Sequence, residues 1–478
     1  MNNQFNCKDI EIEVKPDAPF ENDALNRQRF ASVLNSVIDI YSDTGMVLSI
    51  NGEWGAGKTT FVRMWRQQLI DKKYRTLYFN AWKTDFFDDA FTALLGELKN
   101  EFPDNERVKN VIEKGSKISL SVLEAVAKGL FRKFSGIEYE ALSAAISEVK
   151  NQFSESIESY ASRKEDLEDF RKSLSELVAS ESNGKPVVFF IDELDRCKPD
   201  YAVQVLERVK HLFEVPNIVF VVAVNETQLQ YAIQGYYGSN NIDGNEYLRR
   251  FFDFSFSLPI PDLSEYAKVL YDRHHFSTYF SFPRNNYYDH YSSSNNEEEV
   301  FLRFAGDVLA GSKMNLRLAN KVFAYTRLVL HGYSSGANIP HDTLFLLCFL
   351  KVTNPKLFAD IKTGVFTIQE LVTQLEEQLP PGLFSVDTDM FTPEHTSWAI
   401  AGLIAYYSYA SRGIERDPTF KGQPVEESNE LSFPIKTTKL PLELLNRALT
   451  YTFKHHRNYV YGLQGMIEKI ELGTYLRF

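Results

Sequence analysis

Cysteine is scarce in this sequence, with three residues in 478: Cys7, Cys197 and Cys348. Their odd number and wide spacing exclude a disulfide framework and match no zinc-binding pattern. Free thiols of this kind are typical of a reducing compartment. We therefore expect a cytoplasmic protein.

Long hydrophobic runs are missing as well. Residues Met1 to Lys15 lack a basic segment followed by an apolar run, so the sequence predicts no secretory signal. The most apolar stretch, Trp398 to Ala410, is shorter than the roughly 20 residues that cross a bilayer, and it contains serine and tyrosine. It predicts a buried helix, and we expect no membrane span.

An excess of positive charge is also absent, since the net charge is −12 and the pI is about 5.4. This charge argues against a nucleic-acid-binding surface over the whole chain, while a local basic patch stays open. Apolar residues make up 44% and charged residues 24%, as in soluble globular proteins. A chain of 478 residues is long enough for two or three packed domains.

A phosphate-binding pattern begins at Gly52. The segment from Gly52 to Thr59 reads G-x-x-x-x-G-K-T, and it follows the apolar run Met46 to Ile50 and precedes a helical pattern. Backbone amides of such a loop surround the phosphates of ATP, Lys58 bridges them, and Thr59 holds Mg²⁺. The predicted nucleotide-binding residues of the loop are Gly52, Glu53, Trp54, Gly55, Ala56, Gly57, Lys58, Thr59 and Thr60.

An acidic pair follows a second apolar run. Val187 to Ile191 are five apolar residues, and Asp192 and Glu193 come directly after them. Because open α/β sheets bind ligands at the carboxyl ends of their strands, we expect this pair beside the phosphate loop. Asp192 is the predicted second ligand of Mg²⁺, together with Thr59, and Glu193 is the predicted base that polarises the attacking water.

Two further positions are predicted with an alternative open. Asn225 ends the apolar run Ile218 to Val224, so its amide is placed to reach the γ-phosphate or the water, and the alternative is a turn or cap residue. Arg249 and Arg250 precede an aromatic strand, and either is placed to act as an arginine finger for a neighbouring subunit, with Arg250 taken as the candidate. A solvated helix end is the alternative for this arginine pair.

Short apolar runs alternate with helical patterns over the first 260 residues or so, which predicts a mainly parallel sheet with helices on both faces. The predicted fold class is α/β: a P-loop NTPase core, a helical insertion and a helical C-terminal region. The segment from Arg416 to Pro441 interrupts that last region and is taken as an exposed loop. The predicted domains are residues 1–96 with 182–262 for the core, 97–181 for the insertion, 263–335 for a helical lid and 336–478 for a C-terminal helical domain.

Taken together, these segments resemble the KAP family of P-loop NTPases. The likeness runs from about residue 20 to residue 260. The segments that carry it are Asp23 to Phe30, Gly52 to Thr59, Phe79 to Trp82, Asp192 to Cys197, Val222 to Gln228, Tyr247 to Asp253 and Leu258 to Pro259.

The resemblance implies a fold similar to AAA+ and STAND NTPases, with ATP or another NTP as ligand and Mg²⁺ as cofactor. It also implies that Asp23 to Phe30 lies near the base of the bound nucleotide. Arg317, on the helix with Asn315, is implied to be a nucleotide sensor in the lid. The sequence departs from common family patterns: the insertion has no membrane helices, Asp192-Glu193 replaces Asp-Asp, and Asn225 replaces Asp. Bacterial members include proteins that exclude plasmids or phages, which associates this chain with antiviral defence.

The sequence therefore predicts an ATPase that binds and hydrolyses ATP and drives conformational change or assembly of a partner complex, in anti-phage defence. We expect a homo-oligomer and a protein partner encoded alongside it, and binding to nucleic acid is left open. The alternative is a slowly hydrolysing, nucleotide-dependent oligomeric scaffold or switch that recruits a separate effector. Residues 340–478 carry no clear metal or nucleophile pattern, which disfavours an effector enzyme such as a nuclease.

Overall fold

The computed structural model divides the chain into two compact units, Glu11–Pro259 and Ile260–Phe478. The finer division into core, insertion, lid and C-terminal domain stays a prediction. The residues that the structure describes are 12–86, 89–118, 164–213, 215–238, 242–281, 297–333, 339–386, 390–410, 414–415, 420–424, 431–455 and 463–475.

The first unit contains a five-stranded sheet. Its strands are β1 Met46–Asn51, β2 Arg75–Asn80, β3 Val187–Asp192, β4 Ile218–Val224 and β5 Phe254–Ser257. They lie in the order β2-β3-β4-β1-β5, and every neighbouring pair is parallel. The predicted parallel sheet is confirmed.

Helices connect these strands, as parallel pairing requires. In the first unit they are α1 Gln28–Tyr41, α2 Lys58–Asp71, α3 Ala90–Glu101, α4 at residues 106–118, α5 at residues 164–181, α6 Pro199–Leu212, α7 Glu226–Tyr237 and α8 Gly244–Leu248. The helices α4 and α5 lie within the predicted insertion, and residues 119–163 of that insertion lie outside the described residues.

Both faces of the sheet are buried, which explains why its central strands are continuous apolar runs. Side chains alternate along β3, so Val188 and Phe190 pack in a hydrophobic cluster with Trp65 of α2. Phe189 and Ile191 point the other way and pack in a second cluster with residues of α3 and α6. Each large side chain buried in these clusters contributes about 1.5–3 kcal/mol to folding.

The carboxyl ends of the strands meet at one edge of the sheet. Asn51 lies opposite Val224, and Asp192 lies between Asn80 and Ala223. Because neighbouring strands are roughly 5 Å apart, the segments that follow β1, β2, β3 and β4 start close to one another. This edge carries the predicted phosphate loop and the predicted acidic pair.

The second unit is mainly helical, which confirms the predicted helical C-terminal region. Its helices are α9 Leu263–Arg273, α10 Phe276–Phe280, α11 Glu297–Ala310, α12 Leu316–His331, α13 His341–Thr353, α14 Pro355–Thr363, α15 Ile368–Gln378, α16 Phe391–Ser408, α17 Leu442–His455 and α18 Leu463–Tyr475. Its short antiparallel pairs are β6 Tyr409–Ala410 with β7 Ile414–Glu415 and β8 Gln423–Pro424 with β9 Leu431–Ser432. Among the helices of the described residues, none is both long and apolar enough to cross a membrane.

Glu376 of α15 anchors the segment that precedes α17. Its buried carboxylate accepts hydrogen bonds from the backbone amides of Thr438, Lys439 and Leu440 and from the Thr438 hydroxyl, at 2.8–3.0 Å. The predicted exposed loop from Arg416 to Pro441 is only partly exposed at this end, since Thr438 and Lys439 are exposed whereas Leu440 is 3% exposed.

We expect Glu376→Gln to destabilise the protein by about 2–3 kcal/mol at neutral pH, because one acceptor oxygen is replaced by a donor. Burial raises the pKa of Glu376, but the hydrogen bonds from residues 438–440 outweigh burial, and the pKa lies below its ordinary value. The stabilisation is therefore complete above the unfolded-state pKa of about 4.3 and is lost as pH falls through the lower folded-state pKa.

Chemical unfolding at about pH 7 and about pH 2 measures both parts of this prediction. The control is Glu377→Gln, which changes the neighbouring exposed carboxylate of the same helix. Equal losses of stability in the two variants at neutral pH would contradict the anchoring role of Glu376.

Candidate functional site

The loop between β1 and α2 runs from Gly52 to Gly57. Gly55 and Gly57 have φ angles of 79° and 84°, a left-handed conformation that favours glycine. The helix α2 begins at Lys58, so the first amides of that helix have no partner within it and face outward at its amino end. Such an amino end attracts anions, and the loop that leads into it adds further amides. This local geometry suits a bound phosphate chain.

Lys58 lies within this loop and is only 8% exposed. Its ammonium donates to the carbonyl oxygens of Gly52 at 2.6 Å and Glu53 at 3.3 Å, and it lies 3.8 Å from Oδ2 of Asp195. Burial lowers the pKa of Lys58, and the carboxylates of Asp195 and Asp192 oppose that effect. The ammonium therefore lies where an anion in the loop would meet it.

The structure brings Thr59 and Asp192 together. Asp192 is fully buried at the end of β3, and it accepts hydrogen bonds from the Thr59 side chain, from the Tyr78 hydroxyl at 2.9 Å and from the Glu193 amide at 2.9 Å. Burial raises the pKa of Asp192, and these hydrogen bonds offset only part of that effect. A divalent cation would stabilise the ionised carboxylate, and hydroxyl and carboxylate oxygens are ligands that Mg²⁺ prefers. The pair therefore fits the predicted metal ion.

Glu193 follows Asp192 with a left-handed backbone, at a φ angle of 61°, a conformation that costs a non-glycine residue about 1–3 kcal/mol. Asn80 Nδ2 donates to its Oε2 at 3.0 Å, and Arg196 Nη1 lies 3.1 Å from its Oε1. The Arg196 guanidinium also lies 5.2 Å from the ring centre of Trp82. Side chains from the end of β2 and from the turn after β3 thus hold the predicted base.

Asp195 is a site residue that was not predicted from the sequence. It lies in the turn Leu194–Arg196, and its side chain is 1% exposed. Its Oδ2 accepts the indole N–H of Trp54 at 2.6 Å and the backbone N–H of Asn225 at 3.0 Å, beside the ammonium of Lys58. The signals in the sequence are an acidic residue shortly after the predicted acidic pair and its place within Asp192 to Cys197, a segment that carries the KAP resemblance.

Arg27 stabilises the phosphate loop from the start of α1. Its buried guanidinium donates to the carbonyl oxygens of Ala56 in the loop and Pro259 after β5, both at 2.9 Å. Burial lowers the pKa of Arg27 to about 10, so the group remains protonated at neutral pH. The position of Asp23 to Phe30 near the base of a bound nucleotide stays a prediction.

The other predicted residues have different surroundings. Asn225 caps α7, since its Oδ1 accepts the backbone N–H of Gln228 at 3.2 Å, so the capping alternative is present in the structure. Arg249 and Arg250 follow α8 and are exposed, and Arg317 belongs to α12 of the second unit. Contact of Asn225 with phosphate, and the finger and sensor roles of the arginines, stay predictions.

Comparison with protein families gives the identity of this arrangement. The model described as KAP family P-loop domain matches residues 27–319, which is more than half of the chain. The chain belongs to the KAP family. The match includes the phosphate loop, the acidic pair and Asp195 of this KAP domain, and it extends into the second unit as far as α12.

Single relatives of this KAP chain are distant. It is 22% identical over 248 residues to the phage T7 exclusion protein of Escherichia coli (strain K12), an alignment that covers 48% of this chain and 32% of that protein. The chain thus spans about a third of the length of this curated relative.

Solved structures show two further likenesses. The Aeropyrum pernix ORC2 protein, solved in ADPNP-ADP complexes, is 14% identical, with a TM-score of 0.35, over 92% of this chain and 99% of that chain. C. elegans PCH-2 is 12% identical, with a TM-score of 0.31, over 72% of this chain and 71% of that chain. Both scores are low, and the assignment to the KAP family does not depend on them.

Proposed function

We propose that this protein is an ATPase that binds ATP with Mg²⁺ and couples hydrolysis to conformational change or assembly of a partner complex. The observation that carries the proposal is the meeting of four groups at one sheet edge. Lys58 lies within the loop, the side chain of Thr59 bonds to Asp192, and Glu193 follows directly. These are the groups that phosphoryl transfer from a nucleotide requires.

The loop and the first turn of α2 would bind the phosphates. The amides from Gly55 to Thr59 would donate to β- and γ-phosphate oxygens, and the Lys58 ammonium would turn to them from the loop carbonyls. Thr59 and Asp192 would hold Mg²⁺, which neutralises phosphate charge when bound. Arg27 would keep the loop in shape through its hydrogen bond to the Ala56 carbonyl.

Glu193 is the proposed general base. A carboxylate positioned on the attacking water contributes about 10²–10⁴-fold to such a reaction. Asn80 and Arg196 would fix the position of the carboxylate through these two contacts. Because each carboxylate oxygen accepts more than one hydrogen bond, water can join these two donors.

We also propose a homo-oligomer in which Arg250, or its neighbour Arg249, completes the site of an adjacent subunit. Arg317 of α12 is the proposed sensor of nucleotide from the lid, and Asn225 is proposed to reach the water or the γ-phosphate once nucleotide is bound. The exposed position of the two adjacent arginines supports the first of these proposals. A protein partner encoded alongside this chain and a cytoplasmic location complete the proposal.

Anti-phage defence is the process that we propose. Its support is the similarity to a protein named for exclusion of phage T7, over about half of this chain. The cellular test is the efficiency of phage plating on a host that carries the gene together with its neighbouring genes. We expect the Lys58→Ala variant to lose protection in this test. Equal protection by the Lys58→Ala variant would reject a nucleotide-dependent role in defence.

One observation favours the second candidate function, a slowly hydrolysing switch that recruits an effector. Both carboxylate oxygens of Glu193 already contact donors, Asn80 Nδ2 at 3.0 Å and Arg196 Nη1 at 3.1 Å. A base that has to share or leave these donors before it can orient a water would act slowly, and hydrolysis would be slow with it. The rate of phosphate release therefore separates the two functions.

Phosphate release and subunit number, measured on the same protein, test the proposal. With ATP and Mg²⁺ we expect turnover on the order of 1 s⁻¹ that EDTA abolishes, and larger particles with a non-hydrolysable analogue. Assembly with negligible phosphate release would reject the hydrolysis-driven function and leave the slowly hydrolysing switch. Absence of both analogue binding and release would reject both functions.

Mixed variants test the finger within the same assay. Arg250→Ala subunits retain their own loop, and Lys58→Ala subunits retain Arg250, so mixtures are expected to recover part of the lost turnover if Arg250 acts on a neighbour. Arg249→Ala is the matched comparison at the adjacent position. Mixtures that stay as inactive as either variant alone would count against action of Arg250 on a neighbour.

A further inference from the structure

Asp195 connects the phosphate loop to the start of α7. Its Oδ2 accepts the Trp54 indole N–H at 2.6 Å and the Asn225 amide N–H at 3.0 Å, and it lies 3.8 Å from the Lys58 ammonium. Its Oδ1 is buried and accepts no hydrogen bond from the described residues. The carboxylate is therefore held through a single oxygen that two segments share.

Binding of a nucleotide changes the surroundings of that oxygen. Anionic phosphate oxygens are stronger partners for Lys58 than the neutral carbonyls of Gly52 and Glu53 that it now contacts. When the ammonium turns to the phosphates, Asp195 loses the cation that lies 3.8 Å away and gains negative charge close by. A buried carboxylate without a counter-charge is unfavourable, so its side chain has to find other partners.

The amide of Asn225 carries this change out of the loop. Asn225 is the cap of α7, and α7 packs on α8 through the hydrogen bond from Gln230 Nε2 to Asn245 Oδ1 at 2.8 Å. Arg249 and Arg250 follow α8 directly. A shift at the first turn of α7 therefore reaches the exposed arginines through two short, connected helices.

We propose that Asp195 is a phosphate-sensing positioning residue. In the empty site it ties the phosphate loop to α7, and a nucleoside triphosphate with Mg²⁺ releases that tie and moves α7 together with α8. The proposal rests on the proposed function, since it requires a nucleotide in the loop. In this proposal, Asp195 converts the binding of a nucleotide into a movement of Arg249 and Arg250. Asp195 takes no part in the chemical step.

Asp195→Asn tests the proposal, because the amide keeps an acceptor oxygen for Trp54 and Asn225 but carries no charge. We expect the variant to bind AMP-PNP with Mg²⁺ about tenfold more tightly than the unsubstituted chain, measured by calorimetry. In the unsubstituted chain we expect AMP-PNP to speed hydrogen exchange of the backbone amides at residues 225–230. In Asp195→Asn we expect AMP-PNP to leave that exchange unchanged.

Two results would overturn the proposal: equal or weaker AMP-PNP binding by Asp195→Asn, or the same exchange response in both proteins. Asp200→Asn, at an exposed carboxylate five residues along, is the control and is expected to behave as the unsubstituted chain. Lys58→Ala separates this proposal from the proposed function. Binding that survives Lys58→Ala rejects the function, whereas lost binding there with an unaltered response in Asp195→Asn rejects the sensing role alone.

Trp54→Phe keeps the proposal testable if Asp195→Asn does not fold. It removes the indole N–H that donates to Asp195 and keeps an aromatic ring without a change of charge. We expect AMP-PNP to bind about two- to tenfold more tightly, since a net hydrogen bond that holds the empty loop is lost, and we expect a smaller exchange response at residues 225–230. Unchanged affinity together with a full exchange response would overturn the sensing role.

Discussion

Lys58→Ala is expected to weaken binding of ATP with Mg²⁺ by about 100- to 1000-fold. Charge-assisted hydrogen bonds contribute about 1.5–3 kcal/mol each, and one ammonium would serve both the β- and the γ-phosphate. Two such bonds amount to about 3–6 kcal/mol, and the lower part of that range, about 3–4 kcal/mol, corresponds to this loss of affinity. Calorimetric titration with AMP-PNP measures it directly.

The matched control is Lys72→Ala, at an exposed lysine directly after the carboxyl end of α2. It removes the same charge from the far end of the helix and is expected to leave binding unchanged. Because the Lys58 ammonium lies 3.8 Å from the buried Asp195, its removal also affects folding, so thermal unfolding without nucleotide has to accompany the titration. Unaltered affinity in a folded Lys58→Ala protein would refute the phosphate loop.

Glu193→Gln is expected to retain binding of ATP and to lower the rate of phosphate release by about 10²–10⁴-fold. Glutamine has the shape of glutamate, and it can still contact Asn80, but it cannot accept a proton from water. Binding depends on Lys58 and Thr59, which are intact in this variant, whereas the rate of phosphate release depends on Glu193. Calorimetry and steady-state phosphate release, performed on one preparation, measure them.

Asp195→Asn is the informative comparison for Glu193→Gln, because Asp195 is a buried carboxylate only two residues away. We expect it to alter affinity while the base remains in place. If Asp195→Asn abolished release while Glu193→Gln did not, the base would be Asp195 and not Glu193. Asp200→Asn again provides the exposed carboxylate that is expected to have no effect.

The phosphate loop and the acidic pair could be predicted because each is contiguous in the sequence. Glycines at fixed positions determine the conformation of the loop. Five apolar residues before Asp192 mark a strand buried on both faces, and the first charged residue after them marks the end of the strand where ligands bind. The meeting of Thr59 with Asp192 follows from that, since parallel strands align their carboxyl ends. Their roles in binding Mg²⁺ remain for experiment.

Asn80 and Asp195 lie in segments that carry the KAP resemblance, but their contacts in the site could not be predicted, because distant parts of the chain make them. Asn80 reaches Glu193 across 113 residues, and Asp195 reaches Trp54 across 141 residues. Neither contact leaves a periodic or local pattern. The same reason explains why the buried Leu440 in the segment before α17 could not be predicted, since the anchor of that segment, Glu376, is 62 residues from Thr438.

The position of β1 in the sheet determines when the proposed nucleotide site can form during synthesis. Within the described residues β1 pairs with β4 and β5, which end at Val224 and Ser257, although the loop itself begins at Gly52. At roughly 5–20 residues per second, the ribosome needs on the order of 10–40 s to make the intervening chain. During that interval β1 lacks both neighbouring strands, and its apolar residues have to be shielded from water by chaperones or by α1 and α2. The proposed nucleotide site is thus complete only when nearly the whole first unit has been made.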